Sequence, residues 1–367
     1  MNSLGLYIHI PFCDTKCPYC DFYSITINDS IVDSYVNAVC ECIEYWAQKT
    51  RLVADTLYIG GGTPSIIGEN KISKIVKKAK ESFYIDNGEM TIEINPREGK
   101  SLDFKMLKDV GVNRLSIGLQ SANNNELELL SRRHSVQDVK DTILLAQKAG
   151  FDNISLDLMV GISGQTRDSL SKSIEFCVSQ NVQHISAYLL KIEEGTKYFV
   201  QRKNLVLPNE DEVSSFYLFL CNKLEKFDFK QYEISNFSLE GKESKHNLKY
   251  WNLKNYIGIG PSAHSFLNGD RFYYNSNINN FINDFKYTIY DCKGGSEEEY
   301  IMLKLRLASG LNNEEFKIRF GYNIPIKYFK RAKIYEKYSL LNINKNSISL
   351  TNKGFLLSNK IISQIIY

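Results

Sequence analysis

The chain has 367 residues, 24% of them charged, with a formal net charge of +3. That is the balance of an ordinary globular protein, with room for one large domain and a small one, and it marks out no nucleic-acid-binding class. Eight cysteines are too few for a disulfide scaffold at this length. No apolar run approaches the roughly 20 residues that span a bilayer. The opening MNSLGLYIHI lacks the basic start of a secretory leader, so a reducing, cytoplasmic compartment is expected.

In chain order, a strand is expected at 6–10, and the loop leaving it carries Cys13, Cys17 and Cys20 at C-x3-C-x2-C spacing. A helix capped by Asp29 or Ser30 runs to about residue 48, with Ile31, Val32, Tyr35, Val39 and Ile43 near helical spacing. A strand at 56–59 enters Gly60-Gly61-Gly62-Thr63-Pro64, and a helix at 71–82 follows. A strand at 90–94 ends at Asn95-Pro96, and a helix at 102–110 stops at Gly111. The pattern continues with a strand at 114–118, helical segments over 125–148 broken near 132–135, a strand at 154–160, a helix at 168–179 and a strand at 184–190. Strands alternating with helices through short connections predict parallel strands and right-handed crossovers, hence an α/β fold: a partial (β/α)6 TIM-like barrel over residues 1–208.

The pattern changes after Pro208. Residues 209–295 read as an extension that opens with a helix at 209–226 and carries His246-Asn247-Leu248-Lys249-Tyr250-Trp251. Residues 296–367 read as a small, mostly helical, winged-helix-like domain: helices at 298–307, 313–320, 326–337 and 353–366 and a strand at 347–350. Its lysines are interleaved with acids, so nucleic acid is not expected as a partner.

On a parallel α/β fold, ligands sit at the C-terminal ends of the strands. The cysteine loop, the glycine run, Asn95-Pro96 and Gln120 each follow a strand, Asp157 lies within the fifth and Glu93 near the end of the third, so they converge on one face. Three thiolates on a short loop do not complete the four-ligand set of a structural zinc site. They suit a four-iron cluster with one iron open to a small molecule. The glycine run lets a ligand touch backbone, although a tight turn would use the same residues. Glu93 or Asp157 could accept hydrogen bonds from ribose hydroxyls, or each could be a buried carboxylate satisfied by neighbours. Arg132 flanks the same face. His246 is a candidate heme ligand with Tyr250 and Trp251 to stack on a macrocycle; a hydrogen-bonded histidine within an aromatic cluster is the plainer alternative.

The cysteine spacing, with an aromatic before the third cysteine, resembles the radical S-adenosylmethionine superfamily. The fuller set is Y-I-H-I-P-F-C, C-P-Y-C-D-F-Y-S, G-G-G-T-P, E-I-N-P, G-L-Q-S, R-x-H-S, D-L-M-x-G and H-N-x-x-Y-W. It resembles the oxygen-independent coproporphyrinogen III oxidase family over nearly the whole chain. In that resemblance the oxidase branch has a further cysteine two residues after the third, where this chain has Phe22, and an N-terminal extension ahead of Tyr7. Both departures, with the H-N-x-x-Y-W group, point to the heme chaperone branch.

The resemblance implies a [4Fe-4S] cluster on Cys13, Cys17 and Cys20. It implies S-adenosylmethionine lined by Tyr7, Tyr19, Gly61, Gly62, Thr63, Glu93, Gln120, Arg132 and Asp157. It implies heme at His246, Tyr250 and Trp251, an acceptor protein for that heme, and at most peripheral membrane contact. Oxidative decarboxylation of coproporphyrinogen III, or radical chemistry on another substrate, stands as the alternative. One departure, G-I-S-G-Q at 161–165 where the family has G-L-P-G-Q, removes a rigid proline but no chemical group.

Overall fold

The computed structural model describes residues 3–367. Six parallel strands form its centre: β1 (Leu4–Ile10), β2 (Ala54–Gly61), β3 (Glu89–Ile94), β4 (Arg114–Gln120), β5 (Ile154–Val160) and β6 (His184–Leu189). They pair in chain order, β1 to β6, each in parallel register with the next. Each crossover carries helix: α1 (Asp29–Thr50), α2 (Glu69–Phe83), α3 (Phe104–Val110), α4 (Asn124–Leu129) with α5 (Val136–Lys148), and α6 (Arg167–Ser179). The strands are apolar almost throughout because both faces are covered, which is how a parallel sheet must read.

Local sequence sets the helix ends. Asn28, not Asp29 or Ser30, caps α1 by accepting from the Ser30 amide. The expected break between α4 and α5 is present, and Ser135 and Asp138 form a capping box that restarts the chain as α5. The buried stripe of α1 (Val32, Tyr35, Val36, Val39, Ile43 and Trp46) faces the core.

The sheet does not close. It continues past β6 through β7 (Lys230–Gln231) and β8 (Asn236–Ser238), and past β1 through β9 (Tyr256–Ile259), β10 (His264–Leu267), β11 (Asp270–Tyr273) and β12 (Ile289–Lys293). The twelve-strand order is β12-β11-β10-β9-β1-β2-β3-β4-β5-β6-β8-β7. Residues 209–295 therefore add strands to both edges of one sheet. They also supply α7 (Glu210–Glu225) and α8 (Lys245–Trp251), which carries the H-N-x-x-Y-W group. β10 to β12 are short, polar and partly exposed, so they carry no apolar run that a sequence reading would detect.

The C-terminal unit runs α9 (Glu297–Lys304), β13 (Leu311–Asn312), α10 (Asn313–Phe320), α11 (Ile326–Glu336), β14 (Leu341–Ile343), β15 (Ser347–Leu350) and α12 (Ser358–Ile366). Its three strands pair in the order β13-β15-β14. This helix, strand, helix, helix, hairpin order is the winged-helix arrangement. Among the described residues, no helix is long and apolar enough to cross a membrane.

Candidate functional site

The cysteine loop leaves the C-terminal end of β1. Phe12–Cys13 pairs in parallel with Ile25–Thr26, which closes the stem of the loop. Asp14 accepts from Arg97 Nη1 at 2.7 Å and from Arg133 Nη1 at 2.5 Å, which pins the loop to the segment after β3 and to the break between α4 and α5. The Pro18 carbonyl accepts from the Tyr198 amide at 2.9 Å. Cys13, Cys17 and Cys20 are all free thiols, partly buried, and line one cavity of about 450 Å³.

The same cavity is lined by Tyr19, Gly61, Gly62, Thr63, Glu93, Gln120, Arg132 and Asp157. Eleven of the twelve residues that the resemblance assigns to the cluster and S-adenosylmethionine therefore line one cavity. Tyr7 is the exception. Its side chain turns into the barrel interior, donates to or accepts from His9 Nδ1 at 3.0 Å and packs against Tyr58, so it lies behind the cavity wall.

The thiol chemistry fits a cluster. Thr63 Oγ1 approaches Cys13 Sγ at 3.5 Å and Arg132 Nη1 approaches Cys17 Sγ at 3.4 Å, contacts that suit thiolate sulfur. Burial pushes the Cys13 thiol up, and the Cys20 thiol up to about 11, so bound cations are needed to hold these as thiolates at neutral pH. In a four-iron cubane each cysteine binds a different iron, so the three need not converge on one point. Among the described residues no three His, Cys, Asp or Glu side chains converge to hold a single ion.

The glycines are steric necessities here. A Cβ on Gly62 would stand 2.7 Å from the Phe12 carbonyl oxygen and 3.1 Å from Cys13 Sγ. Gly61 has φ of +114°, and a Cβ there would meet the His9 ring. Beside them Glu93 accepts from the Gly61 amide at 3.0 Å and from Tyr58 Oη at 2.9 Å. Burial raises the Glu93 carboxyl to about 7, with the Asp157 charge adding to the shift. Asp157 accepts from Ser116 Oγ at 3.2 Å, and burial raises it to about 6. Two buried carboxylates at one cavity are placed to accept from ligand hydroxyls. Gln120 holds φ of +67° at the end of β4, a conformation rarely adopted without a reason at that site. Arg132 also donates to Asn95 Oδ1 at 3.1 Å.

Several lining residues escaped the sequence reading. Ser116, Met159 and Tyr188 line the cavity. Each projects from an element already recognised, but inward orientation along a strand is visible only once the register is known.

His246 lies at the opposite end of the barrel, where the strands begin. Its amide donates to Glu89 Oε1 at 3.0 Å, its Nδ1 is 2.9 Å from Thr56 Oγ1 and its Nε2 is 2.7 Å from Tyr250 Oη. Thr56 and Glu89 face each other near the starts of β2 and β3. The imidazole is buried, which lowers its pKa to about 3, with the nearby Lys249 and Arg114 charges adding to the effect. In this conformation His246 takes the plainer of its two expected arrangements, a hydrogen-bonded histidine within an aromatic cluster. A neutral histidine with both ring nitrogens bonded presents no lone pair to an iron in this conformation. Tyr250 spends its hydroxyl on that histidine, and the partly exposed Trp251 has Arg306 against its ring. Next to this cluster a second cavity of about 700 Å³ is lined by Thr56, Lys245, Lys249, Lys254, Phe266 and Arg319, among others. Thr56 separates His246 from it.

An open barrel of parallel strands, with three loop cysteines after the first strand and a glycine run after the second, defines a radical-SAM protein, and residues 7–177 match the Radical SAM superfamily. The chain belongs, within that superfamily, to the family of the heme chaperone HemW. It is 34% identical to the heme chaperone HemW of Bacillus subtilis over 97% of each chain. It is 32% identical to that of Lactococcus lactis over 98% of this chain and 96% of the relative. Coproporphyrinogen III oxidase (HemN) from Escherichia coli has the same fold, with a TM-score of 0.84 at 20% identity over 100% of this chain and 90% of that one.

Proposed function

We propose that this chain binds heme and passes it to an acceptor protein in the cytoplasm, carrying a [4Fe-4S] cluster and S-adenosylmethionine at the upper end of its barrel. The observation that carries this reading is relatedness along the full chain to proteins named as heme chaperones. Cys13, Cys17 and Cys20 would hold the cluster, and Gly61, Gly62, Thr63, Glu93, Gln120, Arg132 and Asp157 the adenosyl ligand. When bound, the cluster supplies an electron at an iron left open for S-adenosylmethionine. Tyr19 screens the sulfur atoms from water, and Glu93 and Asp157 receive ribose hydroxyls.

Heme is proposed to enter at the lower end. The 700 Å³ cavity offers Lys245, Lys254 and Arg319 to its propionates. His246 becomes an iron ligand there once its bonds to Thr56 and Tyr250 are released. Uptake is then coupled to an opening of the barrel floor, and the apparent affinity is the intrinsic affinity reduced by the fraction of open molecules.

Heme titration of the cluster-loaded protein tests this. Wild type should develop a Soret band that is lost or shifted in His246→Ala, with thermal melting confirming that the variant folds. An unchanged band in a folded His246→Ala protein removes that histidine from the site. Incubation with coproporphyrinogen III and a reductant should yield no protoporphyrinogen; turnover would replace the chaperone reading with the oxidase one.

A further inference from the structure

Each sulfur of the cysteine loop has a neighbour that is not a ligand. Arg132 Nη1 reaches Cys17 Sγ at 3.4 Å, and Thr63 Oγ1 reaches Cys13 Sγ at 3.5 Å. The Phe22 amide works against burial at the Cys20 thiol. Ser24, on the return limb of the loop, belongs with these donors. Cys13 pairs with Thr26 in parallel register, and Ser24, two residues before Thr26, stands on the same side of the limb as Thr26 and so faces Cys13. The backbone on both sides of it is pinned. His9 Nε2 donates to the Tyr23 carbonyl at 2.8 Å, and the Ile25 amide donates to the Pro11 carbonyl at 2.7 Å.

Ser24 Oγ is buried and makes no hydrogen bond in this structure. Leaving a buried donor unpaired costs about 1–3 kcal/mol, so the hydroxyl calls for an acceptor. Cys13 Sγ is beside it: Ser24 is among the groups that pull the Cys13 thiol down against burial. A neutral thiol is a weak acceptor, whereas a thiolate takes charge-assisted hydrogen bonds. Thr63 and Arg132 line the cavity and Ser24 does not, so a ligand in the cavity does not compete for its hydroxyl. We propose that Ser24 is a positioning residue for the redox state of the cluster: its hydroxyl donates to Cys13 Sγ when that sulfur binds iron, and it raises the reduction potential. Reduction adds a negative charge that the sulfurs share, so a donor aimed at sulfur stabilises the reduced form more than the oxidised one. The inference rests on the cluster reading of Cys13, Cys17 and Cys20.

An anaerobic redox titration of the full cluster-loaded chain tests it, with dithionite as the one-electron reductant. The reduced cluster is followed by its paramagnetic resonance signal, without S-adenosylmethionine. Ser24→Ala should lower the equilibrium constant for reduction about threefold to tenfold, a fall of about 28–59 mV at 59 mV per tenfold. Ser24→Thr keeps the hydroxyl and should stay within about twofold of wild type. Iron content and melting temperature show that each variant is loaded and folded. An unchanged potential in loaded Ser24→Ala, or an equal fall in Ser24→Thr, would overturn the proposal. If Ser24→Ala takes up no iron, Ser24→Thr decides. Loading of the threonine variant supports the bond from hydroxyl to sulfur, and failure of both variants overturns it, because the residue then serves the fold of the loop. Those outcomes leave the cluster reading standing, whereas a wild-type chain that takes up no cluster removes both.

Discussion

His246 and Tyr250 lie one helical turn apart on α8, and the histidine Nε2 stands 2.7 Å from the tyrosine hydroxyl. With Thr56 at Nδ1, this closes both nitrogens of a ring that is 1% exposed. The group faces up into the barrel interior: the Tyr58 ring lies 5.3 Å from the imidazole, and the Tyr58 hydroxyl bonds Glu93 in the upper cavity. One tyrosine thus touches both ends of the barrel.

If heme uptake requires His246 to leave its partners, weakening one partner should favour uptake. Tyr250→Phe keeps the ring and removes one hydrogen bond, worth about 1 kcal/mol net. Apparent heme affinity should rise roughly fivefold, read from the midpoint of a Soret titration, while melting temperature falls. An affinity unchanged or lowered in Tyr250→Phe would mean that the closed form itself is the binding form.

The carboxyl pair sets a pH dependence. Glu93 is raised from 4.5 to about 7 and Asp157 from 3.8 to about 6, mainly by burial. Raised carboxyls favour the protonated folded state, so their contribution is complete below about pH 4 and is lost as pH rises through about 7. Glu93→Gln, which stays neutral, should therefore gain stability relative to wild type by about 1–3 kcal/mol between pH 5 and pH 8. Parallel denaturant titrations of ligand-free protein measure it, and a difference independent of pH would contradict the burial argument. His246 shifts the other way, lowered to about 3, so its contribution is present above about 6.5 and lost below; it is common to both proteins and cancels.

Tyr58→Phe separates the two ends. Its hydroxyl bond lowers the Glu93 pKa against the larger effect of burial. Removing it should raise that pKa further, moving the pH-dependent loss of stability upward by up to about one pH unit. The His246 contacts to Thr56 and Tyr250 do not involve that hydroxyl, so the heme titration should be unchanged. A change in both readouts would show that the ends are coupled through Tyr58.

The upper site was legible because its parts follow strands in a regular α/β alternation. Periodicity located the six central strands, and topology then placed Cys13, Gly62, Glu93 and Asp157 on one face whatever their individual roles. The lower end was not legible in the same way. His246 was rightly grouped with Tyr250, but its closure depends on Thr56 and Glu89, 190 and 157 residues earlier in the chain. Sequence spacing carries no information about such pairs. Tyr7 turns to the barrel interior as its place on β1 implies, but it sits below the cavity against His9 and Tyr58, a depth that spacing does not carry. The edge strands β10 to β12 were missed because short, half-exposed strands lack an apolar signature.

Gly62→Ala tests the cysteine loop without touching a cysteine. Gly62 does not need a positive φ, so the substitution acts through space alone. Its Cβ would meet two backbone oxygens, of Phe12 at 2.7 Å and Ile10 at 2.9 Å, neither of which can rotate aside. The strand that presents Cys13 must therefore shift. After anaerobic reconstitution, Gly62→Ala should retain well under half the iron of wild type, while Cys17→Ser, lacking a ligand outright, should lose the cluster. Melting of the metal-free proteins supplies the control. Overpacking should cost Gly62→Ala about 1–3 kcal/mol, and Cys17→Ser much less. Full iron content in Gly62→Ala would show that the loop holds its cluster independently of the β2 turn.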